Sequence, residues 1–309
     1  MKCKKWTEKN QAVAGVIEAL LLVALVAIVI SIIQLQYIPQ IMEQREAEHM
    51  DEVSNQFSHL KSLIDIQALT GTMGVDVPLS FVPMMEQITL GSREMPYFIS
   101  APAYGEMSVN NSGQSYITTE PDYLYYKGQQ KNNFSLSMIK YSADNSYFID
   151  QTYILEGGGI ILSQSDESSV MRADPCISIK DAGNKIMVRW YLPNIIGVQG
   201  KNDTYGNGKC FVRTIYSDYQ NFSGPLHNII IKSDHLNAWN ESLNRLFRDV
   251  MYDDGDEPSP ENKTVDISIT WYEGNNVVKI LSLHPESKPL YLSLMIVDIY
   301  CQIGPGWVM

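Results

Sequence analysis

The sequence predicts an α+β protein in which a long N-terminal helix, first transmembrane and then amphipathic, precedes a mainly antiparallel, sandwich-like β domain with one inserted helix. Three observations predict it. Residues 12–33 form an apolar run in which Glu18 is the only charge. Residues 40–69 contain neither Gly nor Pro and place apolar side chains at helical spacing. From about residue 75, short apolar and alternating runs are broken by Gly, Asn, Asp, Ser and Pro.

The apolar run predicts a membrane anchor. At about 1.5 Å per residue it extends roughly 33 Å, which is enough to cross the hydrocarbon core of a bilayer. The short segment before it carries Lys2, Lys4, Lys5 and Lys9 against Glu8. Lysine-rich flanks stay on the cytoplasmic side. We therefore expect a single-pass cell-membrane protein with a cytoplasmic N-terminus and an extracellular C-terminal domain.

Three interpretations of this segment compete. A secretory signal peptide has a shorter apolar core and a small-residue cleavage site after it, and residues 34–39 offer no such site. A plain, uncut signal anchor fits both the length and the charge. The third interpretation is a prepilin-type leader, which is cut before the apolar run so that the run remains on the mature protein.

The residues Lys9-Asn10-Gln11-Ala12, then Val13 to Glu18, then the unbroken apolar helix carry a resemblance. They resemble the class III signal of archaeal type IV pilin-like proteins and archaellins. The resemblance implies that a prepilin peptidase cuts after Ala12 and leaves Val13 as the new N-terminus. Cleavage after Gln11 or after Val13 remains an alternative.

Glu18 is an ionisable group inside an apolar run, where it costs several kcal/mol unless it is paired. The resemblance implies that it pairs with the free α-amino group of a neighbouring, identical or related pilin-like subunit. The alternative is that the side chain reaches back to the cytoplasmic headgroups, which are only about one helical turn away.

A stalk helix follows the anchor. Pro39 must interrupt or bend the helical ladder. Beyond it, an apolar seam with 3-4-3-4 spacing predicts a helix to about Leu69, ended by residues 70–74. The seam consists of Met50, Val53, Phe57, Leu60 and Ile64. It packs either on the chain's own β domain or on a partner helix.

A second resemblance is carried by Glu48–Asp65, by Pro78–Pro83, by Leu155–Gln164 and by Val170–Pro175. These stretches resemble an uncharacterised family of archaeal membrane-anchored proteins. That resemblance implies the same plan of an anchor, a helix and a β-rich exterior domain. The predicted organisation is a leader at 1–12, a transmembrane helix at 13–36, a stalk at 37–70 and an extracellular domain at 75–309.

Within the exterior domain, predicted strands recur from Tyr97–Ser100 to Leu290–Tyr300. One helix is predicted from Asp234 to about Val250, with Ser233 or Asp234 as its N-cap. Its apolar stripe contains Leu236, Trp239, Leu243, Leu246 and Phe247. This stripe predicts a helix that packs on a sheet.

The formal net charge of −12 argues against binding to nucleic acid. Asn-x-Ser/Thr sequons on the predicted exterior side are acceptor motifs for N-glycosylation. They begin at Asn110, Asn133, Asn202, Asn221, Asn240 and Asn262, of which Asn240 is the least suitable because it lies in the predicted helix. Cys3 would leave with the leader, and Cys176–Cys210 is the predicted disulfide in an exported domain, with Cys301 unpaired.

Motifs for enzymatic chemistry are not found, and neither a catalytic residue, a metal nor a cofactor is predicted. Gly157-Gly158-Gly159 favours a glycine-rich hairpin over a phosphate cradle. Two polar loops, Asp253–Glu257 and Lys201–Gly208, carry oxygen groups that could bind a cation, but polar loops of this kind are more often only solvated. The expected function is that of a non-enzymatic, pilin-like surface and adhesion protein. The alternatives are an uncut, single-pass anchored binding or envelope protein that does not form filaments and, third, an anchored hydrolase.

Overall fold

The computed structural model describes residues 4–72, 82–92, 101–110, 114–164, 168–251, 267–272, 274, 276–283, 285 and 288–304. The first predicted strand, Tyr97–Ser100, and the acidic loop Asp253–Glu257 lie outside these residues. The α+β class is confirmed at the level of its elements: one long N-terminal helix precedes a large, mainly antiparallel β domain.

One continuous helical rod begins the chain. It consists of α1 (Lys4–Ile32), a π-helical segment (Ile33–Tyr37) and α2 (Ile38–Thr72). The backbone N–H of Ile38 bonds to the carbonyl of Ile33, five residues back. This wider turn directly precedes Pro39, whose ring lacks a donor and crowds the carbonyl four residues earlier in an α-helix. The helical ladder thus changes its hydrogen-bond pattern at the proline and continues to Thr72.

The described residues contain eighteen strands and two further helices. In chain order the strands are β1 (Met84–Thr89), β2 (Tyr104–Asn110), β3 (Tyr116–Thr118), β4 (Leu124–Tyr126), β5 (Gln129–Lys131), β6 (Asn133–Ser135), β7 (Met138–Asp144), β8 (Gln151–Glu156), β9 (Gly159–Gln164), β10 (Ser169–Ala173), β11 (Ile177–Asp181), β12 (Ile186–Gly197), β13 (Asp203–Gly206), β14 (Lys209–Leu226), β15 (Asn228–Lys232), β16 (Ile267–Tyr272), β17 (Val277–Ser282) and β18 (Leu290–Ile303). The helices are α3 (Leu236–Leu246) and α4 (Arg248–Met251).

The strands form three sheets. A seven-stranded sheet has the order β11-β12-β18-β14-β4-β5, with β1 also paired to β14. A six-stranded sheet has the order β10-β9-β8-β7-β2-β13, and a five-stranded sheet the order β16-β17-β15-β3-β6. One pair departs from the antiparallel pattern, because β12 and β18 run parallel over twelve residues, from Ile186–Leu290 to Gly197–Cys301. The seven-stranded sheet is therefore mixed.

Two buried cores lie against the seven-stranded sheet. Leu290, Leu292 and Leu294 of β18 belong to the first core, whereas Val297 and Ile299 belong to the second. The residues of β18 in the first core are even-numbered, and those in the second core are odd-numbered. Because alternate residues of a strand point to opposite faces, the two cores lie on opposite faces of the sheet. On the neighbouring strand β14, the register shift between Tyr216 and Asp218 likewise changes the face of the sheet to which successive side chains point. Each end of the sheet therefore buries a different face.

The inserted helix matches its predicted position and stripe. Leu236, Trp239 and Leu243 are buried in the first core, as is Phe247, which directly follows α3. The helix ends earlier than predicted, at Leu246, and the short α4 follows it. His235 occupies the N-cap position without a side-chain cap bond; the hydroxyl of Ser233 accepts a hydrogen bond from the His235 N–H instead.

The triple glycine forms the predicted hairpin between β8 and β9. Gly157 and Gly158 occupy its turn with φ values of +59° and +86°, a left-handed pair that glycine adopts without strain. The polar segment 201–208, interpreted as a loop from the sequence, contains strand β13, which pairs with β2. Its residues therefore belong to a sheet edge.

Candidate functional site: the N-terminal helix and its junction with the β domain

The apolar part of the helical rod is not buried by any of the residues that the structure describes. Twelve large apolar side chains between Val16 and Ile32 are each at least 45% exposed. Mean hydropathy in the apolar window is 3.1, and none of the window is buried. Covering these side chains stabilises the system by on the order of 20 kcal/mol, at roughly 2 kcal/mol per side chain. The rod is long and apolar enough to cross a membrane.

The predicted assembly residue lies on this free part of the rod, and the predicted processing residues precede it on the same helix. Ala12 and Val13 lie within α1, which begins at Lys4 and passes through the proposed cleavage position without a break. Glu18 is exposed on the same helix. Ser31, the other polar residue of the run, donates its hydroxyl to the carbonyl of Ala27 and is satisfied within the helix.

The second half of the rod is docked on the β domain. One face of α2 is buried from Ile38 to Gly71. The seam of Met50, Val53, Phe57, Leu60 and Ile64 lies in the second core, together with residues of β7, β8 and β14. The prediction that the seam packs on the chain's own domain is therefore confirmed, and the partner-helix alternative is wrong for these residues.

Glu46 attaches the N-terminal end of the docked half to the β domain. Its side chain is completely buried, and its carboxylate accepts hydrogen bonds from three consecutive backbone N–H groups between β7 and β8. The donors are Ser146 at 3.1 Å, Tyr147 at 2.7 Å and Phe148 at 2.7 Å. Charge-assisted bonds of this kind are about twice as strong as neutral ones. Because the loop between β7 and β8 wraps around a carboxylate of α2, the tip of this hairpin is joined directly to the stalk helix.

Two glutamines hold the docked half further along. Gln56 pairs with Thr89, accepting from its backbone N–H at 2.9 Å and donating to its hydroxyl at 3.1 Å. Gln67, completely buried, donates to the carbonyl of Thr214 at 3.0 Å. At the far end, the ring of Tyr216 packs directly against the helix backbone at Gly71. Polar ties are therefore spread along the whole docked length.

A second buried carboxylate organises the first core. Glu156 ends β8, is completely buried, and accepts hydrogen bonds from three side chains. Ser233 donates at 2.7 Å, the indole N–H of Trp239 at 2.8 Å and Ser115 at 3.1 Å. This network ties the inserted helix to two sheets. Because all its donors are neutral core groups, it is a structural centre.

The structure corrects the predicted disulfide. Cys176, Cys210 and Cys301 are all free, so the Cys176–Cys210 pairing is wrong. Cys210 faces the second core from β14, opposite Ile88 of β1. Cys176 directly precedes β11, an edge strand that β12 and β18 separate from β14. Burial raises the pKa of the Cys210 thiol to about 12 and that of Cys301 to about 12.

The predicted glycosylation positions differ in accessibility. Asn110 and Asn133 are exposed. Asn221 lies in the middle of β14 and accepts a hydrogen bond from the Ser293 hydroxyl at 3.0 Å. The carbonyl oxygen of the Asn202 side chain is buried close to Gly197. Asn262 lies outside the described residues, and Asn240, on α3, is half-buried.

Among the described residues, no three His, Cys, Asp or Glu side chains form a group able to hold a metal ion. His227 and Asp122 form a surface pair, with Nδ1 of the imidazole 3.0 Å from the carboxylate. His49 is buried and His235 is half-buried. His49 donates from Nε2 to the carbonyl of Thr89 at 2.9 Å, and burial lowers its pKa.

Comparison with models of protein families, with curated proteins and with solved structures finds no match. The resemblance to archaeal pilin-like proteins consequently rests on the sequence motifs alone.

Sequence reasoning missed Glu46 and Glu156, the two buried carboxylates. Glu46 lies four residues before Met50, on the face of the seam, and this spacing was the available signal. Glu156 directly precedes the glycine hairpin, and its donors come from segments 41 to 83 residues away. Nothing local in the sequence indicates those partners.

Proposed function

We propose that the protein is a membrane-anchored, pilin-like surface protein without enzymatic activity. Its N-terminal helix holds it in the cell membrane and gathers copies of it, and the β domain is displayed outside as a structural and adhesive unit. The observation that carries the proposal is the division of one continuous rod into two halves. The half from Val16 to Ile32 is bare and apolar, whereas the half from Ile38 to Gly71 is docked.

The bare half supports both anchoring and assembly, since lipid and the helices of other copies are the two apolar coverings available to it. The lysine-rich segment before it supports a cytoplasmic N-terminus. The charge of Glu18 favours a cationic partner within this apolar layer. An α-amino group freed by cleavage before Val13 would be such a partner on a neighbouring copy.

Rigid docking of the other half supports display. Because the seam, Glu46, Gln56 and Gln67 join α2 to the β domain, the domain is held at the membrane by a stiff connection. The net charge of the chain without residues 1–12 is near −15, since four lysines and one glutamate leave with them. Such a surface favours solubility in the medium over adsorption to anionic lipid or nucleic acid.

The first test is the N-terminus of the membrane-inserted protein. The full chain is expressed with and without a class III prepilin peptidase, and its N-terminus is read by peptide mass spectrometry. We expect a chain that begins at Val13 only when the peptidase is present, and we expect Ala12→Glu to block cleavage. An intact Met1 under both conditions, or a start beyond Ile33, overturns the pilin-like proposal and favours the uncut single-pass anchor.

The second test concerns assembly. Glu18→Gln removes the charge at constant size, and Ser31→Ala is the matched control, since that hydroxyl is satisfied within its own helix. Filaments or sedimenting assemblies should be lost in Glu18→Gln and retained in Ser31→Ala. Unchanged assembly and surface display in Glu18→Gln would contradict the pairing role.

A further inference from the structure

The seven-stranded sheet leaves one face open at the end where the first core fills the opposite face. Val188 and Trp190 of β12 are buried in that core, whereas Arg189 between them is exposed. The row of cross-strand neighbours that passes through Arg189 is exposed or half-buried throughout: Ser178 of β11, Ser293 of β18, Ser223 of β14 and Tyr125 of β4. This row crosses five strands, or about 20 Å.

Three cations cluster on this face. Lys180 of β11 opposes Met187 of β12, so it is a diagonal neighbour of Arg189, about 7–8 Å away. The ammonium group of Lys185, directly before β12, lies 4.7 Å from the centroid of the Tyr291 ring, and Tyr291 also opposes Met187. None of the three cations forms an ion pair with a carboxylate among the residues that the structure describes. We call Lys180, Lys185 and Arg189 the cationic patch.

The cationic patch differs in sign from the chain as a whole, whose net charge is −12. The rows through Met187, Arg189 and Tyr191 contain no acidic residue on the neighbouring strands β18 and β14. No carboxylate in these rows therefore offsets the three positive charges. A sheet face is open and broad, so it fits the anionic surface of a macromolecule better than a small anion, which needs an enclosing site.

The outer face of α2 carries the complementary charge. Between residues 40 and 58, the exposed charged residues of this helix are all acidic: Glu43, Glu48, Asp51 and Glu52. They extend over about 14 Å of the helix, and we call them the acidic strip. Arg45, which is half-buried, and Lys209 lie beside Glu48 and Glu52. Glu43 and Asp51 therefore carry the least compensated charges.

The two surfaces lie on different elements of one chain, the acidic strip on α2 and the cationic patch on β11 and β12. A contact between them across two copies is therefore heterologous, and each copy offers one free surface of each kind to the next. Opposite charges favour this pairing, whereas patch against patch or strip against strip brings like charges together. A second copy of this chain thus supplies the anionic surface that the patch fits.

We propose that the cationic patch of one copy docks on the acidic strip of a neighbouring copy. The inference rests on the proposed gathering of copies by the membrane helix. The open face measures only about 20 Å by 14 Å, well below the roughly 800 Å² per partner of a stable interface. Copies held in one membrane meet at a high effective concentration, which compensates for a small contact. Their β domains thereby join in a head-to-tail series.

The test uses the full chain in vesicles of a zwitterionic lipid, prepared from equal amounts of unlabelled and ¹⁵N-labelled protein. A carbodiimide joins a lysine amine to a carboxylate only when the two groups touch. We expect mixed cross-links, with one labelled and one unlabelled peptide, from Lys180 or Lys185 to Glu43, Glu48 or Asp51. They should be abundant at about 0.01 M salt and scarce at about 1 M, because screening shortens the range of surface charges from about 30 Å to about 3 Å.

Charge reversals that leave both lysines in place test the pairing. Arg189→Glu and Asp51→Arg should each lower the yield of mixed cross-links about fivefold or more, because like charges then face one another. The chain that carries both substitutions should recover the yield, since opposite charges face one another again. Arg172→Glu makes the same change of charge at an exposed position of β10. It is the control for Arg189→Glu and should leave the yield unchanged.

Wild-type chains that sediment as assemblies but yield no mixed cross-links between patch and strip overturn this inference and leave the proposed function standing. Chains that stay monomeric in the membrane contradict the proposed gathering of copies, and the inference with it. A patch that binds alginate, an anionic polysaccharide, while mixed cross-links are absent serves a different partner, which also overturns the inference. So does a doubly substituted chain that cross-links no better than Arg189→Glu alone.

Discussion

Glu46 on the stalk helix accepts a hydrogen bond of 2.7 Å from the backbone N–H of Tyr147, 101 residues further along the chain. Ser146 and Phe148 donate to the same carboxylate. The contact joins the first docked turns of α2 to the tip of the β7–β8 hairpin. It thereby fastens the beginning of the docked part of the rod to the β domain.

Replacing Glu46 should destabilise the domain strongly. Glu46→Gln keeps the shape but turns an amide N–H₂ group toward backbone donors, and the charge-assisted bonds are lost. We expect the free energy of unfolding to fall by about 2–3 kcal/mol. Denaturant unfolding of the detergent-solubilised chain, followed by tryptophan fluorescence, measures it. Glu43→Gln, at an exposed position of the same helix, is the control; equal effects of both variants would contradict the assigned role.

Gly71→Ala should reverse the usual effect of this substitution. In most helices it stabilises by up to about 1 kcal/mol. Here an added Cβ would overlap the Tyr216 ring, so we expect a loss of about 1–3 kcal/mol. A double-mutant cycle with Tyr216→Ala should give a favourable coupling, because the smaller side chain makes room for the methyl group. Additive effects would show that the ring does not cause the loss.

Stability should fall on mild acidification. Burial lowers the pKa of His49 below 6.5, an effect that the Thr89 carbonyl, Glu52 and Glu46 only partly offset. Burial likewise lowers the pKa of His235, with Glu156 and Asp234 opposing and Lys140 adding to it. The unfolded chain therefore binds protons first, and stability present above about pH 7.5 is lost as the pH falls through the unfolded value near 6.5.

The slope of this loss is limited to about 1.4 kcal/mol per pH unit for each histidine. Unfolding free energies measured between about pH 7.5 and pH 5 should show a smaller slope in His49→Gln. The same measurement on His59→Gln, at an exposed position of α2, is the comparison. A wild-type slope in His49→Gln would exclude His49 as a contributor.

The three thiols should all be free but should differ in their reactivity. Cys210 and Cys301 are buried, and burial raises the pKa of both. Cys176 is half-exposed, and burial raises its pKa as well. Alkylation at neutral pH should therefore label Cys176 slowly and the other two only after denaturation, since the thiolate is the reactive form. Peptide mapping of non-reduced protein that finds Cys176 joined to Cys210 would contradict the structure.

Sequon occupancy should follow exposure. In protein isolated from a glycosylating, membrane-anchoring host, we expect glycans at Asn110 and Asn133 and none at Asn221, which lies between neighbouring strands in the centre of β14. Glycopeptide mass spectrometry reads each position separately. Modification of Asn221 with Asn133 unmodified would contradict this order.

The elements with local periodicity were predictable from the sequence. The seam from Met50 to Ile64, the stripe on α3 and the glycine hairpin each follow from side chains within a few residues of one another. The parallel pairing of β12 with β18 was not predictable, because strands about one hundred residues apart carry no local sign of their direction. The partners of Glu46 and Glu156 were hidden for the same reason.

The disulfide prediction failed for a related reason. The expected export of the domain and the number of cysteines favoured a bond between Cys176 and Cys210. The two residues belong to parts of the sheet that are not neighbours, and only the strand order reveals this.

The docked half of the rod runs along the domain with its contacts distributed from Glu46 through Gln56 to Gln67. A pull on the free half of the rod would enter along the axis of this helix. Contacts arranged parallel to a pull share the load simultaneously, whereas contacts arranged across it would open one after another. Under such a pull, the joint between the helical rod and the β domain would be loaded in shear, the geometry in which many modest bonds resist rupture together.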